Sequence, residues 1–391
     1  MEPDEPGTSA VATEIMPLAF AKGNEKYCEL CQREAYLQCA KCQVTFYCNA
    51  DHQQADWVGV HERICQMLVS IRSMKDIYDP AVRKRNQLRK THLIKICKLV
   101  AQSKLSEGKH EEALPAAHCC LQTSIDLYGP NTIQLVPAYI LLAEANMGLG
   151  NLAVVAELLS QAEWAVLKNP ELGASVQQQL HRSLGHYHTS VGNLEIALHH
   201  FSNDIYFACE EYGLDSSATT KGYFLIADVF ARQGRTAIVH SLYSEVAERW
   251  HKHLNSLLET HQQHADSSVS FYEKAQRVEM EEMLRVILEF EQKQSRRDAA
   301  LIALIAHNLA MLWFINGDLH KVKSPDGVRY DSVTQFLRSS QHCLKIGLPL
   351  IGDAVNTSRT PLGVVVSRQS DPGFGLQTLR TVSPKKRLQM I

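Results

Sequence analysis

The strongest constraint on this chain is a run of metal-ligand residues near its start: Cys28-x2-Cys31-x7-Cys39-x2-Cys42-x5-Cys48-x3-His52-x8-His61-x3-Cys65. Eight thiol or imidazole side chains within 38 positions are enough for two four-coordinate zinc sites. A two-residue spacer lets both cysteines of a knuckle reach one ion, so the paired spacing signals zinc rather than chance clustering. A segment this short buries too little apolar surface to fold unaided, whereas structural zinc contributes about 10–16 kcal/mol in finger peptides. Metal therefore decides whether it folds. Eleven cysteines would suggest disulfides in a small secreted protein, but here six fall between Cys28 and Cys65. Met1 to Thr13 has neither a basic start nor an apolar stretch of signal-peptide type, so the expectation is a protein on the cytosolic side.

Within this run, Tyr47-Cys48-x3-His52-Gln53-x2-Asp56-Trp57-x3-His61-x3-Cys65 resembles the second half of a MYND zinc finger. The resemblance covers about Tyr27 to Leu68. It implies interleaved ligation, with Cys28, Cys31, Cys48 and His52 on one zinc and Cys39, Cys42, His61 and Cys65 on the other. Two departures stand out. His52 occupies a position where the family usually has Cys, with Asp51 beside it as a competing ligand, and the spacer from Trp57 to His61 is one residue longer than the commonest form. The family's Cys-Gln-x-x-Asp-Trp run forms part of a peptide face. Gln53 and Trp57 are thereby implied to contact a short, extended, proline-containing peptide, the indole covering a proline ring. The competing reading packs Trp57 between the two zinc sites.

The second signal is periodic. Gly108, Gly150, Gly192 and Gly234 recur every 42 residues, and the strings Ala101…Gly108, Ala143…Gly150, Gly185…Gly192 and Ala227…Gly234 align without gaps. A small residue lets two helices approach, Gly ends the first, and Ala or Val opens the second against it, so each unit reads as helix–turn–helix. The pattern resembles tetratricopeptide repeats, whose usual period is about 34. The longer period is similar to the lengthened variety of kinesin light chains. The resemblance covers about Ile94 to Leu254. Leu309-Ala310 and Asn316-Gly317-Asp318-Leu319 repeat the turn signature 83 residues after Gly234. The unit between is degenerate and gives way to a charged helix, Phe271 to Arg297, after a polar stretch from His261 to Ser268.

His261 and His264 read as solvated loop rather than a metal pair, because no further ligand accompanies them. The longest apolar run, Ala299 to Ile315, is interrupted by His307 and Asn308 and falls short of the roughly 20 residues a membrane span needs, so it reads as a buried helix. Cys97, Cys119, Cys120, Cys209 and Cys343 lack paired spacing and read as small buried apolar residues. From Asn356 the chain becomes Pro/Gly/Ser/Arg-rich and ends in Ser383-Pro384-Lys385-Lys386-Arg387, the composition of a disordered basic tail with room for a phosphosite or a nuclear signal.

The fold class expected is mainly α: a small two-zinc finger followed by a tetratricopeptide-like α-solenoid with 42-residue repeats. Residues 1–25 are expected to be disordered, 26–68 to form the finger, 69–92 a helical linker and 93–255 the repeats. Degenerate repeats and C-terminal helices follow over 256–352, and a disordered basic tail over 353–391. Lys+Arg 40 against Asp+Glu 42 gives a net charge of -2, without the basic excess that nucleic acid binding needs. Neither nucleic acid nor membrane is an expected partner.

Phosphate loops, Gly-x-Ser-x-Gly elbows and His-Glu-x-x-His helices do not occur. MYND fingers also occur in lysine methyltransferases, but that family's Asn-His-Ser-Cys and Gly-Glu-Glu-Leu runs are missing. Zinc with four protein ligands leaves no open position for water. The expectation is a non-catalytic adaptor or scaffold that binds other proteins through the finger face and through a groove lined by the first helix of each repeat. There Lys95, Lys98, Arg182, His186 and Lys221 outnumber Glu144 and Asp228, which suits an acidic segment. The lengthened repeats imply a cytoplasmic, cytoskeletal or ciliary/flagellar assembly; the finger implies the alternative of nuclear corepressor recruitment.

Overall fold

Two turns with the same backbone organise the amino-terminal part. Cys28–Cys31 and Cys39–Cys42 are each followed by a glutamine in the left-handed region, Gln32 at φ 57° and Gln43 at φ 58°. Each glutamine N–H donates back to the first cysteine's carbonyl, at 3.0 and 2.9 Å. The chain must double back this tightly for two thiols to face one point. The computed structural model describes residues 12–14, 26–73, 79–168, 173–263, 274–294 and 298–315.

Strands β1 (Ala12–Glu14), β2 (Leu37–Cys39) and β3 (Phe46–Tyr47) form an antiparallel sheet in that order, with Ala12 opposite Cys39 and Leu37 opposite Tyr47. β1 lies inside the segment expected to be disordered. Its physical reason is the free edge of β2, whose backbone groups need partners once β3 has taken the other side. Helix α1 (Ala50–Asp56) is capped by Asn49, whose Oδ1 accepts from the His52 N–H at 2.9 Å. A π-helical turn (Trp57–His61) leads directly into α2 (Glu62–Arg72).

α3 (Pro80–Ser106) starts with Asp79 as its cap and Pro80 in the first turn, so much of the expected linker is the first half of this helix. It pairs with α4 (His110–Tyr128). The same hairpin recurs as α5 (Val136–Gly148) with α6 (Leu152–Leu167), α7 (Ala174–Val191) with α8 (Leu194–Tyr212), and α9 (Ser217–Arg232) with α10 (Thr236–Gln263). α11 (Lys274–Lys293) and α12 (Ala299–Ile315) follow, and α12 coincides with the apolar run expected to be buried.

The turn glycines all adopt positive φ, between 72° and 89°. After each, the next N–H closes the same six-to-one bond: Lys109 to the Lys104 carbonyl, Asn151 to Asn146, Asn193 to His188 and Arg235 to Phe230, at 2.8–3.0 Å. The aligned small residues do what their size suggests. Ala101, Ala143 and Ala227 are fully buried, and a Cβ on Gly185 would lie 2.4 Å from the Phe201 ring.

Two large apolar cores result, beside a small one around Trp57 in the finger and another of Ala197, Phe201 and Val229 between α8 and α9. The first large core runs from Val60, Ile64 and Leu68 of the finger through α3 to α7; the second joins α9, α10, α11 and α12 around Tyr243, Trp250, Met280, Leu284 and Ile305. Between the two large cores α7, α8 and α9 also share a buried polar cluster. Asp204, wholly buried, accepts from Gln178 Nε2 and from Arg182 Nε at 2.9 Å, and Arg182 Nη2 donates to the Ala218 carbonyl at 2.9 Å. Burial pushes the Asp204 carboxyl up, and Arg182 opposes the rise.

α10 continues to Gln263, so His261 is helical and not part of a loop. Cys97 and Cys120 are buried as expected, with Cys119 and Cys209 half-buried. His264, Cys343, the turn signature at Asn316–Leu319 and the basic tail lie outside the described residues. Among the described residues, no helix is long and apolar enough to cross a membrane.

Candidate metal centre

The two knuckles, the start of α1 and the π-turn with α2 bring the eight ligands into two groups: Cys28, Cys31, Cys48 and His52, and Cys39, Cys42, His61 and Cys65. Within each group the ligand atoms all lie within 4.8 Å of one another. Four thiolates or imidazoles around one zinc stand about 3.5–4 Å apart. His52 Nδ1 is 3.2 Å from Cys48 Sγ and 3.4 Å from Cys28 Sγ, while His61 Nε2 is 3.6 Å from Cys42 Sγ. The two imidazoles thus present opposite ring nitrogens. His52 fills its place well because the Asn49 cap fixes the first turn of α1; Asp51 is exposed and outside both groups.

The donor chemistry fits two zinc ions. The Arg33 backbone N–H draws the Cys31 thiol down to about 6, toward the thiolate a metal requires. Cys65 is pushed up to about 12, first by burial and then by the Cys42 and Cys39 sulfurs. Three thiols and an imidazole packed together in the interior call for a divalent cation at their centre. The second group is wholly buried, and the first is half open.

A residue not singled out in the sequence orients the second group. Asp56 Oδ2 accepts from the Tyr47 hydroxyl at 2.6 Å and lies 3.5 Å from His61 Nδ1, which turns Nε2 toward the cysteines. Its sequence signals are its place in the Asp56-Trp57 pair of the motif and a carboxylate five positions before a ligand histidine.

The extra residue between Trp57 and His61 is absorbed by the π-turn, which holds one more residue than an α-turn and keeps Cys65 in phase. Gly59 on this turn meets α4, where an added Cβ would lie 2.7 Å from Pro115 Cγ and 3.1 Å from the Glu112 carbonyl. Gly59→Ala should therefore destabilise the protein by about 1–3 kcal/mol through overpacking, with zinc content unchanged. Thermal unfolding beside metal analysis checks this, and Val58→Ala, at an exposed position, is the neutral comparison.

Gln53 and Trp57 are each 3% exposed. They offer no open platform for a proline ring: Trp57 packs among Cys28, Cys39, Cys42, Tyr47 and Cys65, with the Lys41 ammonium 4.3 Å from its ring. The packing reading of Trp57 is the one its position supports.

The groove residues are divided. Arg182 is committed to Asp204 and the Ala218 carbonyl, and Lys221 pairs with Glu279 of α11. His186 lies edge-on to Phe201 at 5.4 Å and is held neutral, pushed down to about 3 by burial and by Lys221, Arg182 and Arg232. Arg182 and Lys221 meet at a cavity of about 170 Å³ that Glu279 and Met283 of α11 also line. Lys95 is exposed and Lys98 half-buried, both on α3, and neither forms an ion pair among the described residues.

Residues 28–65 match the MYND finger family, and together with the two ligand groups this makes the segment a MYND zinc finger, a protein-interaction domain. The same region is similar to Egl nine homolog 1. The Mus musculus protein is 40% identical over 50 residues, which is 12% of this chain and 12% of that one. The Homo sapiens protein is 43% identical over 44 residues, 11% of this chain and 10% of that one. The chain thus spans about a tenth of the length of these relatives. Among solved structures, BtubC from P. vanneervenii is 14% identical and aligns over 72% of this chain and 99% of its own length, with a TM-score of 0.28.

Proposed function

We propose that the protein is a non-catalytic adaptor, in which a zinc-folded MYND finger and a tetratricopeptide-like stack of helical hairpins are held as one body to carry other proteins. The observation that supports this most is the joint. Val60, Ile64 and Leu68 of the finger share a core with α3 and α4, Gly59 sits against Pro115, and Arg89 Nη1 of α3 donates to the Ser70 carbonyl of α2 at 3.3 Å. A finger set rigidly on a repeat stack holds two binding surfaces at a constant distance, which is what a scaffold requires. Both ligand groups have four protein ligands, the arrangement of structural zinc.

The arrangement resembles proteins with a leading MYND finger followed by lengthened repeats, and we place its work in a cytoskeletal, ciliary or flagellar assembly of the cytoplasm. Nuclear corepressor recruitment is the weaker reading, because the residues expected to cradle a proline peptide are buried. Affinity purification of the full chain from native tissue, followed by mass spectrometry and localisation, tests both. Stoichiometric protein partners that persist at physiological salt are expected. A chain that retains none of them is no adaptor, and a set made of chromatin proteins would favour the nuclear reading.

A further inference from the structure

α3 carries eight Lys or Arg and no Asp or Glu. Among these cations Lys90 pairs with Asp126, Lys104 with Glu112, and Arg89 donates to the Ser70 carbonyl at 3.3 Å. Lys84 and Lys95 are exposed and form no ion pair among the described residues. On the same helix Leu88 is 64% exposed and Leu99 63% exposed, among the most exposed large apolar side chains of the described residues. The spacing from Lys84 to Leu88, Lys95 and Leu99 places all four on one face, a stripe about 22 Å long of alternating cation and leucine.

The repeat supplies an internal precedent. Lys95 and Lys221 stand three 42-residue periods apart, at the same position of the first helix in their hairpins. Lys221 is taken by Glu279, on the glutamate-rich, amphipathic α11, and Met283 one turn further along lines the adjoining cavity. One end of the stack therefore already receives an acidic, apolar-faced helix at this repeat position. The other end presents the equivalent lysine unpaired and beside two bare leucines. α11 also reaches α3, yet leaves Leu88 and Leu99 uncovered.

We propose that this stripe of α3 docks a glutamate-rich amphipathic helix of a partner protein, setting its carboxylates on Lys84 and Lys95 and its apolar side chains against Leu88 and Leu99. The proposal rests on the adaptor reading and names the chemistry of one partner. Charge places the helix and the leucines supply desolvated contact, so both halves of the stripe are needed.

The test uses the full zinc-loaded chain and fluorescence anisotropy with a labelled model helix of Glu, Ala and Leu, its leucines on one face, beside a scrambled peptide of the same composition. Lys84→Glu with Lys95→Glu is expected to weaken binding at least about 10-fold, and Leu88→Ser with Leu99→Ser by a similar factor. Unfolding midpoints should stay the same, because all four positions are exposed, and Lys252→Glu on α10 should leave affinity unchanged. Equal binding of the scrambled peptide overturns the proposal, as does indifference to both double variants. So does a preference of the same residues for nucleic acid or phosphatidylserine vesicles over the helix. The adaptor reading fails separately, when the wild-type chain retains no partner at all; loss confined to the peptide assay removes only this surface.

Discussion

Chelating the zinc unfolds residues 26–72 and loosens the first hairpin with them. Two ions per chain should be released, and the folding free energy of the finger, about 10–16 kcal/mol on the scale of zinc-finger peptides, should go with them. The consequence spreads because Val60, Ile64 and Leu68 belong to the core of α3 and α4. Exposing each fully buried aliphatic side chain costs about 1.5–3 kcal/mol. The distal helices α9 to α12 have their own core and should keep their helicity. Cys39→Ala, which removes a ligand of the fully buried group, should reproduce the effect with the other group intact. Metal analysis and hydrogen exchange along α3 and α4 measure it. Fewer than about two zinc per chain, or exchange in the first hairpin indifferent to chelation, would sink the eight-ligand assignment.

Acidification from pH 7 to pH 5 should weaken the helical stack. His200 is pushed down to about 4 by burial and then by His188 and His199, His307 to about 4 by burial and His251, and His186 to about 3. In the unfolded chain each imidazole titrates near 6.5. With the folded value below the unfolded one, the stabilisation is complete above about 6.5 and is lost as pH falls toward the folded value, because only the unfolded chain takes the proton. By pH 5 this amounts to about 1–2 kcal/mol for each imidazole, after allowance for the solvent that reaches His186 and His200.

Asp204, pushed up by burial, acts in the opposite sense. Comparison of the parent with His307→Gln therefore isolates one imidazole. Urea midpoints read by hydrogen exchange in α10 and α12, which belong to the second core, keep zinc loss at the finger out of the measurement. A parent midpoint that holds steady from pH 7 to pH 5, or a variant as acid-sensitive as the parent, would count against the buried neutral histidines.

Ligand spacing and turn periodicity could be read in advance because both are local. A Cys-x2-Cys knuckle closes within one turn, and a glycine at positive φ closes a hairpin whatever surrounds it. What escaped reading depends on neighbours far along the chain. Arg182 looked available until Asp204, on the next helix, was seen to be buried beneath it, and Lys221 until α11 came within reach from 58 residues further on. Trp57 and Gln53 matched a peptide-face pattern, yet the fold of the two knuckles encloses them. Asp56 stood inside a quoted motif without a role, since its function appears only when Tyr47 and His61 converge on it. β1 was missed because three residues acquire strand structure only from the edge they join.

The π-turn also bears on how such fingers are recognised. Adding one residue to a continuous α-helix rotates everything after it by about 100°, which here would swing Cys65 and the apolar face of α2 away from their partners. One widened turn takes up that rotation, so the ligand histidine and cysteine keep their direction while the residue count between motif letters changes. What this finger has kept is angular phase about the helix axis. Motif searches that permit a one-residue gap between a helical tryptophan and its ligand histidine would admit fingers built this way, and a glycine in the gap marks where the widened turn can lie against a neighbouring helix.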